Sequence, residues 1–281
     1  METSDVAFPV RPGEHACCRP EHPQDRERLA AAFVRAGLGR GHKVVFLCPR
    51  PEVDETRARL RASDRDAASA LERGQLEIRD MAGTYTPDGT FDVDRMMEAL
   101  RDEHARALAQ GYAGLSLTGD VGAAVSGAPG AERLPEYERR LDDELGRGTH
   151  VLLCRYDHAR VDPRTLSDAV AVHHVDVSPE LAPVGRTGVL AAARVHRPET
   201  LRLAGELDFE SAGILAEVLD AHFGGPLRLD LADLSFVDVS GLRMLRQSAG
   251  PGLTIAAASA PVRRMVGLLG WDTDPAIELT A

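Results

Sequence analysis

Apolar positions recur along this chain in two rhythms, and the two alternate. Near-continuous apolar runs at 43–48 (Lys-Val-Val-Phe-Leu-Cys), 113–118 and 150–155 read as strands, and 75–79 as a shorter one. Runs without polar alternation belong to sheets covered on both faces. Between them stand helical patterns. From Asp25, residues Leu29, Ala32, Phe33 and Ala36 share one face, with Gly37 as a stop. An Arg-rich helical stretch over 52–73 breaks near Ser63. Asp92 caps a helix carrying Val93, Met96, Met97, Leu100, His104 and Leu108, and Leu134, Tyr137, Leu141 and Leu145 define another. A last helix is predicted over 163–173. Residues 10–18 have no helical period and contain Pro12 and Gly13, while 84–90 and 121–130 read as loops. Strand and helix in alternation predict an α/β module with a parallel sheet between helical layers.

Residues 178–186 carry two prolines and little apolar pattern, so 179–186 is the expected linker between a unit over 1–178 and a smaller one over 187–281. The smaller unit predicts strands at 189–195 and 200–204 and an N-cap at Asp208. A helix follows with Ile214, Leu215, Val218 and Leu219 inward. A strand over 227–231, a short loop and a helix starting at Ser240 come next, then a strand at 253–256, a helix from Pro261 and a final edge strand near 276–279. Ser240 itself reads at first as a plain N-cap, worth about 0.5–2 kcal/mol to its helix.

Composition narrows the function classes. A chain of 281 residues favours two domains, and 43% hydrophobic content supports packed cores. The formal net charge of −11 argues against general nucleic-acid binding and against docking on an anionic membrane. No apolar run approaches the roughly 20 residues of a spanning helix, and the acidic N-terminus is followed by no signal segment. Cys17, Cys18, Cys48 and Cys154 lack C-x-x-C spacing, which reads as reduced thiols. A soluble cytoplasmic protein is expected.

Gly205-Glu-Leu-Asp208, the Leu-Asp-Leu strand and Phe236-Val-Asp-Val-Ser-Gly-Leu242 stand in the order and spacing of a STAS domain, and the resemblance covers about 187–281. It implies the fold of bacterial anti-sigma-factor antagonists, in which a Ser or Thr directly before Gly at a helix start is phosphorylated by a partner anti-sigma kinase. Ser240 occupies that position and Asp238 matches the family's Asp. Val239 stands where a second Ser or Thr is usual. The resemblance places Asp208, Asp238, Val239 and Gly241 at the partner-binding surface. Phosphorylation would add roughly −1.5 to −2 charges near Asp238, Asp233 and Asp208, disfavouring a docked partner, while the helix N-terminus tolerates the phosphate itself.

The first unit resembles a MEDS sensory domain. The resemblance is carried by Pro12-Gly-Glu-His-Ala-Cys17, the stretch from Phe33 to Lys43, Thr84-Tyr85, Phe91-Asp92, Leu115-Ser-Leu-Thr-Gly-Asp120, Leu134-Pro-Glu-Tyr-Glu138 and Cys154-Arg-Tyr-Asp157, in order over about 8–175. It implies a RecA-like parallel-sheet sandwich that senses a small molecule, with His15, Cys17, Tyr85, Thr118 and Asp120 at the ligand site. Tyr85, in its Gly-Thr-Tyr-Thr loop, reads either as closing over a ligand or as simple packing.

A P-loop is not among the motifs. Gly37-Leu-Gly-Arg-Gly-His-Lys43 has His42 between Gly and Lys and Val44 in place of Ser or Thr, and it precedes a strand rather than following one. Asp120 then has no phosphate partner to work with. His15, Cys17 and Cys18, joined by Cys48 or Cys154, have the donor types of a soft-metal site, but buried core thiols and a simple loop role explain them equally well. His22, His42, His104, His158 and the His173-His174 pair lack zincin spacing and read as surface or packing residues. The expectation is a signalling protein rather than an enzyme, with no cofactor or metal. A ligand- or redox-sensing first unit would act through an anti-sigma-factor antagonist, phosphorylated at Ser240 by an anti-sigma serine kinase and restored by a PP2C-type phosphatase. A STAS scaffold that is never phosphorylated and a RecA-like ATP-using enzyme are the alternatives.

Overall fold

The computed structural model describes residues 8–20, 22–145, 148–157, 163–178, 190–222, 226–250 and 252–280. The chain divides into one unit spanning Val10–Asp176 and another running from Val177 onward together with Phe8 and Pro9. The predicted linker, 179–186, lies outside the described residues.

In the first unit the elements run β1 (Glu14–Cys18), α1 (Pro23–Gly39), β2 (Lys43–Cys48), α2 (Val53–Ser63), α3 (Arg65–Glu72), β3 (Leu76–Asp80), α4 (Met81–Tyr85), α5 (Val93–Ala109), β4 (Leu115–Gly119), α6 (Val121–Val125), α7 (Leu134–Leu145), β5 (His150–Arg155), α8 (Pro163–Val170) and β6 (Val175–Val177). The strands pair in the order β6-β1-β5-β4-β2-β3, all parallel. This is the α/β class expected from the alternating pattern. Val45, Leu47, Leu115, Leu152 and Cys154 face the helical layer that includes α5 and α7. Val44 and Ser116 face the other way, toward α1.

Four expectations change. The stretch 10–18 holds β1, which sits inside the sheet between β5 and β6. Gly37 lies within α1, where a Cβ would come 2.8 Å from Val44 Cγ2, so it serves close helix–sheet packing rather than stopping the helix. The predicted loop 84–90 begins with the last two residues of a one-turn helix, α4, and the predicted loop 121–130 opens with another, α6. The last helix ends at Val170, which leaves His173 on the turn into β6.

The second unit runs β7 (Leu190–His196), β8 (Glu199–Leu207), α9 (Phe209–His222), β9 (Leu227–Val237), α10 (Val239–Ser248), β10 (Leu253–Ala258), α11 (Ala260–Leu268) and β11 (Ile277–Leu279). Its sheet order is β7-β8-β9-β10-β11, with β7 antiparallel to β8 and the rest parallel. Leu203, Leu207, Leu215, Leu229, Leu242 and Leu245 make a leucine-rich core. Ile214, expected inward, is exposed, while Leu215 and Leu219 are buried. Strand β9 absorbs the expected loop and extends to Val237, so that β8 and β9 stay paired as far as Glu206 with Phe236 and Leu207 with Val237.

At the amino ends of β2 and β5, His42 and His150 are buried; His42 Nδ1 is 3.0 Å from Ser116 Oγ, and the His150 ring lies 3.6 Å from that of His104, tilted at 38°. Burial, with Arg40 and His104 near His42, lowers the His42 pKa to about 4. Burial, with His104 and His42 outweighing Glu144, does the same for His150. The unfolded chain therefore takes up more protons than the folded one between pH 6.5 and about 4. The stability that depends on these two neutral histidines is intact above that window and falls as pH drops through it. Denaturant unfolding should give a lower midpoint at pH 5 than at pH 7, and His42→Gln with His150→Gln should narrow the gap. An undiminished gap in the double variant would contradict this assignment.

Candidate functional site

In α7 the helical period that places Leu134, Tyr137 and Leu141 inward also turns Glu138 into the core, fully buried. A carboxylate cannot sit there without partners. Its Oε1 accepts a hydrogen bond from the Tyr156 hydroxyl at 2.7 Å. Its Oε2 lies 3.2 Å from His15 Nε2, 3.7 Å from His173 Nε2 and 3.6 Å from Cys154 Sγ. His15 Nε2 is 3.1 Å from Cys154 Sγ, and its Nδ1 is 3.1 Å from Asp142 Oδ1. Asp142, one turn beyond Glu138, also pairs with His174 Nε2 at 3.1 Å. The His15 and His173 rings lie 4.1 Å apart, tilted at 47° to each other.

Each group arrives from a different element. Strand register sets Cys17 opposite Cys154 and His15 opposite Leu152, so His15 and Cys154 are diagonal neighbours on one face of β1 and β5. Glu138 comes from α7, and His173 from the turn between α8 and β6. His15, Glu138, Cys154 and His173 are all buried, and one donor atom from each lies within 4.8 Å of the others.

Burial alone would drive His15 toward the neutral form. The hydrogen bonds to Asp142 and Glu138 and the charges of both carboxylates outweigh it and raise the pKa to about 9. Burial pushes the Glu138 carboxyl up, but the His15 hydrogen bond and the His173 and His15 charges hold it below its ordinary value. The pair is therefore an ion pair at neutral pH. Burial, with Glu138 nearby, pushes the Cys154 thiol well up. Two imidazoles, a thiol and a carboxylate so arranged can share protons or hold a metal ion.

The other expected ligand residues do not join this cluster. Cys17 is buried in the apolar core with Val45 and Leu152, and burial raises its thiol well above the usual range. Cys18 and Cys48 are buried as well. Tyr85 ends α4 and is fully buried with its ring edge-on to Tyr137, so it is a core residue and not part of a loop that closes over a ligand. Thr118 is buried and donates to the Leu153 carbonyl at 2.8 Å. Asp120 caps α6 through the Ala123 N–H. His173, read from sequence as surface or packing, is the residue that completes the buried four-group set.

A separate cleft of about 360 Å³ opens at the carboxyl ends of β2, β3 and β4, lined by Pro49, Arg50, Asp80, Ala123 and Ala124 among others. That is the end of an open α/β sheet where ligands bind. Lys43, last residue of the rejected glycine-rich stretch, begins β2 and its Nζ bonds Glu77 and the Gly74 carbonyl. The connection from β1 to α1, Arg19 to His22, contains no glycine.

In the second unit Asp238, not Ser240, is the N-cap of α10. Its Oδ1 accepts the Gly241 N–H at 2.7 Å, and its Oδ2 accepts the Phe209 N–H at 3.0 Å, so one carboxylate anchors the starts of α9 and α10. Asp208 caps α9 through the Ser211 N–H at 2.9 Å, and this bond foremost keeps its carboxyl below the usual range. Ser240 is the second residue of α10 and is exposed; Val239 is half-buried. Gly241, expected on the partner surface, is buried: a Cβ there would lie 2.5 Å from Leu207 Cγ, so its role is to let α10 close on β8. Phe209 and Phe236, on the backbone segments that flank Asp238's bonds, are 77% and 48% exposed.

A parallel α/β unit with a sealed polar centre and no phosphate loop, followed by a small mixed-sheet unit with an exposed serine in the first turn of a helix, defines a two-module α/β protein. The chain belongs to the MEDS family, described as the methanogen/methylotroph, DcmR sensory domain, which matches residues 14–174. Residues 190–280 match the family described as Mlab, STAS domain. No curated protein matches the chain. Among solved structures it is similar to the flagellar accessory protein FlaH from Methanocaldococcus jannaschii, at 10% identity and a TM-score of 0.45 over 66% of this chain and 79% of that one. It is also similar to the KaiC-like protein PH0186 from the hyperthermophilic archaeon Pyrococcus horikoshii OT3, at 13% identity and a TM-score of 0.41 over 66% and 78%. At these TM-scores neither likeness carries an argument about this chain. Among the described residues, no helix is long and apolar enough to cross a membrane.

The double cap gives a direct expectation. Asp238→Ala removes the acceptor for two helix starts and should lower the stability of the second unit by about 1–2 kcal/mol, whereas Asp238→Asn keeps an acceptor oxygen and should lose less. Denaturant titration of both variants checks the order; equal losses would contradict it.

Proposed function

We propose that this protein is an anti-sigma-factor antagonist whose second unit docks on an anti-sigma factor and is switched by phosphorylation at Ser240. The observation that carries the reading is the exposed Ser240 hydroxyl in the first turn of α10, on the unit that also leaves Phe209, at the start of α9, and Phe236, near the end of β9, exposed. Large aromatic side chains in the open are what a protein interface covers. A phosphate on Ser240 would bring roughly −1.5 to −2 charges to a surface that already holds the Asp238 and Asp208 carboxylates. Docking would then require burying like charges together, so binding weakens. The fold is expected to survive, because the amide groups of a helix N-terminus favour a nearby anion.

The kinase in this reading is the anti-sigma factor itself, and a PP2C-type phosphatase resets the switch. The protein acts by binding and not as an enzyme, in the cytoplasm. The MEDS unit supplies the input, with the cleft at the ends of β2, β3 and β4 as the place for a small organic molecule. Incubation with ATP and purified anti-sigma serine kinases should place phosphate on Ser240 by mass spectrometry. Ser240→Glu should weaken anti-sigma binding at least about tenfold, roughly 1.4 kcal/mol, while Ser240→Ala retains it. Phosphate on another residue, or full binding by Ser240→Glu, would defeat the proposal.

A further inference from the structure

We infer that His15, Glu138, Cys154 and His173 form a binding site for a divalent transition metal of the zinc type. The donor set is two imidazole nitrogens, one thiolate sulfur and one carboxylate oxygen, the combination that zinc accepts in fourfold coordination. The spacing fits as well. Ligand bonds of about 2.0–2.3 Å make a tetrahedron with edges of roughly 3.3–3.7 Å. The donor atoms stand at 3.1 Å (His15 to Cys154), 3.2 Å (His15 to Glu138), 3.6 Å (Cys154 to Glu138) and 3.7 Å (His173 to Glu138).

The groups around the four donors are those of a metal centre. The Nδ1 of His15 faces Asp142, the carboxylate–histidine arrangement that fixes which ring nitrogen is left for the metal. The remaining oxygen of Glu138 is held by the Tyr156 hydroxyl. Around them lie Tyr137, Leu141, Leu152 and Tyr156, all buried, which keep water out. A purely structural account is less satisfying. A buried ion pair contributes little net stability, and an apolar set of the same volume would fill the core as well or better. The pair also does not explain why a thiol and a second imidazole converge on the same carboxylate oxygen.

Four protein ligands leave no open position, so the site holds metal without catalysing at it. The side chain of His174, 56% exposed, pairs with the same Asp142 that faces His15 Nδ1. On binding, Cys154 gives up its thiol proton and His15 its shared proton, and both leave to solvent. The metal would clamp β1, β5, α7 and the turn before β6 at one point, making the conformation of the first unit depend on metal supply. This inference is independent of the Ser240 switch. Metal uptake without phosphorylation, or phosphorylation without metal uptake, would fail one reading and leave the other standing.

The test uses the full chain, reduced and stripped with a chelator, then titrated with Co(II) and with Zn(II). Co(II) should give the d–d bands of a tetrahedral ion and a thiolate charge-transfer band, and Zn(II) should abolish both by displacement. Native mass spectrometry should find one zinc per chain. Cys154→Ser should remove the charge-transfer band, and Asp142→Asn, which keeps every donor and the local shape, should weaken binding by about 10–100-fold. Because ligand variants can misfold, the wild-type Co(II) spectrum decides on its own. An octahedral spectrum without a thiolate band, no uptake, or undiminished affinity in Asp142→Asn would overturn the assignment.

Discussion

Glu138 is the constraint on which the first unit is built. Moving a carboxylate out of water costs several kcal/mol unless charges and hydrogen bonds replace its hydration. Here they come from His15 on β1, Cys154 and Tyr156 on and just after β5, and His173 on the turn after α8. Those residues are far apart in sequence, so satisfying one side chain requires the parallel sheet to be assembled in its observed order and α7 to lie across it. An apolar residue at 138 would pack without making that demand. The polar centre thus specifies an arrangement, and the donors it gathers have more chemistry in them than packing needs.

The second unit uses the same economy of a single carboxylate in a different way. Asp238 is spent on the backbone N–H groups of Phe209 and Gly241. With the cap supplied from two residues upstream, the Ser240 hydroxyl is not needed for the helix start and faces solvent. Gly241 completes the arrangement, since only a residue without a Cβ lets α10 approach Leu207 so closely. The result is a modifiable group held at a fixed position on a rigid helix start, with aromatic side chains exposed on the same unit.

The alternation of strands and helices was legible because it rests on local periodicity, and the family-type motifs marked both modules. What escaped was set by contacts distant in sequence. Strand β1 reads poorly because Glu14 and His15 interrupt its apolar run, and they do so because the polar centre requires His15 there. The His15–Asp142 and His15–Cys154 contacts span 127 and 139 residues, which no windowed pattern reports. One signal was present: Glu138 falls on the apolar stripe of α7, at i+4 from Leu134, where a charged residue needs an explanation. The burial of Tyr85 and Thr118 was not legible, because loop position and strand end do not reveal it. Sequence alone does not separate Ser240 from Asp238 as the cap, because Asp and Ser cap about equally well, and only the geometry shows that Asp238 accepts from Gly241.

If His15, Glu138, Cys154 and His173 form one metal centre, the bound ion must carry all four donors. X-ray absorption at the zinc edge of the zinc-loaded full chain tests it most directly. The zinc should show a first shell of one sulfur and three nitrogen or oxygen neighbours at roughly 2.0–2.3 Å, with the sulfur contribution lost in Cys154→Ser. A shell of oxygen and nitrogen alone in the unaltered protein would contradict it.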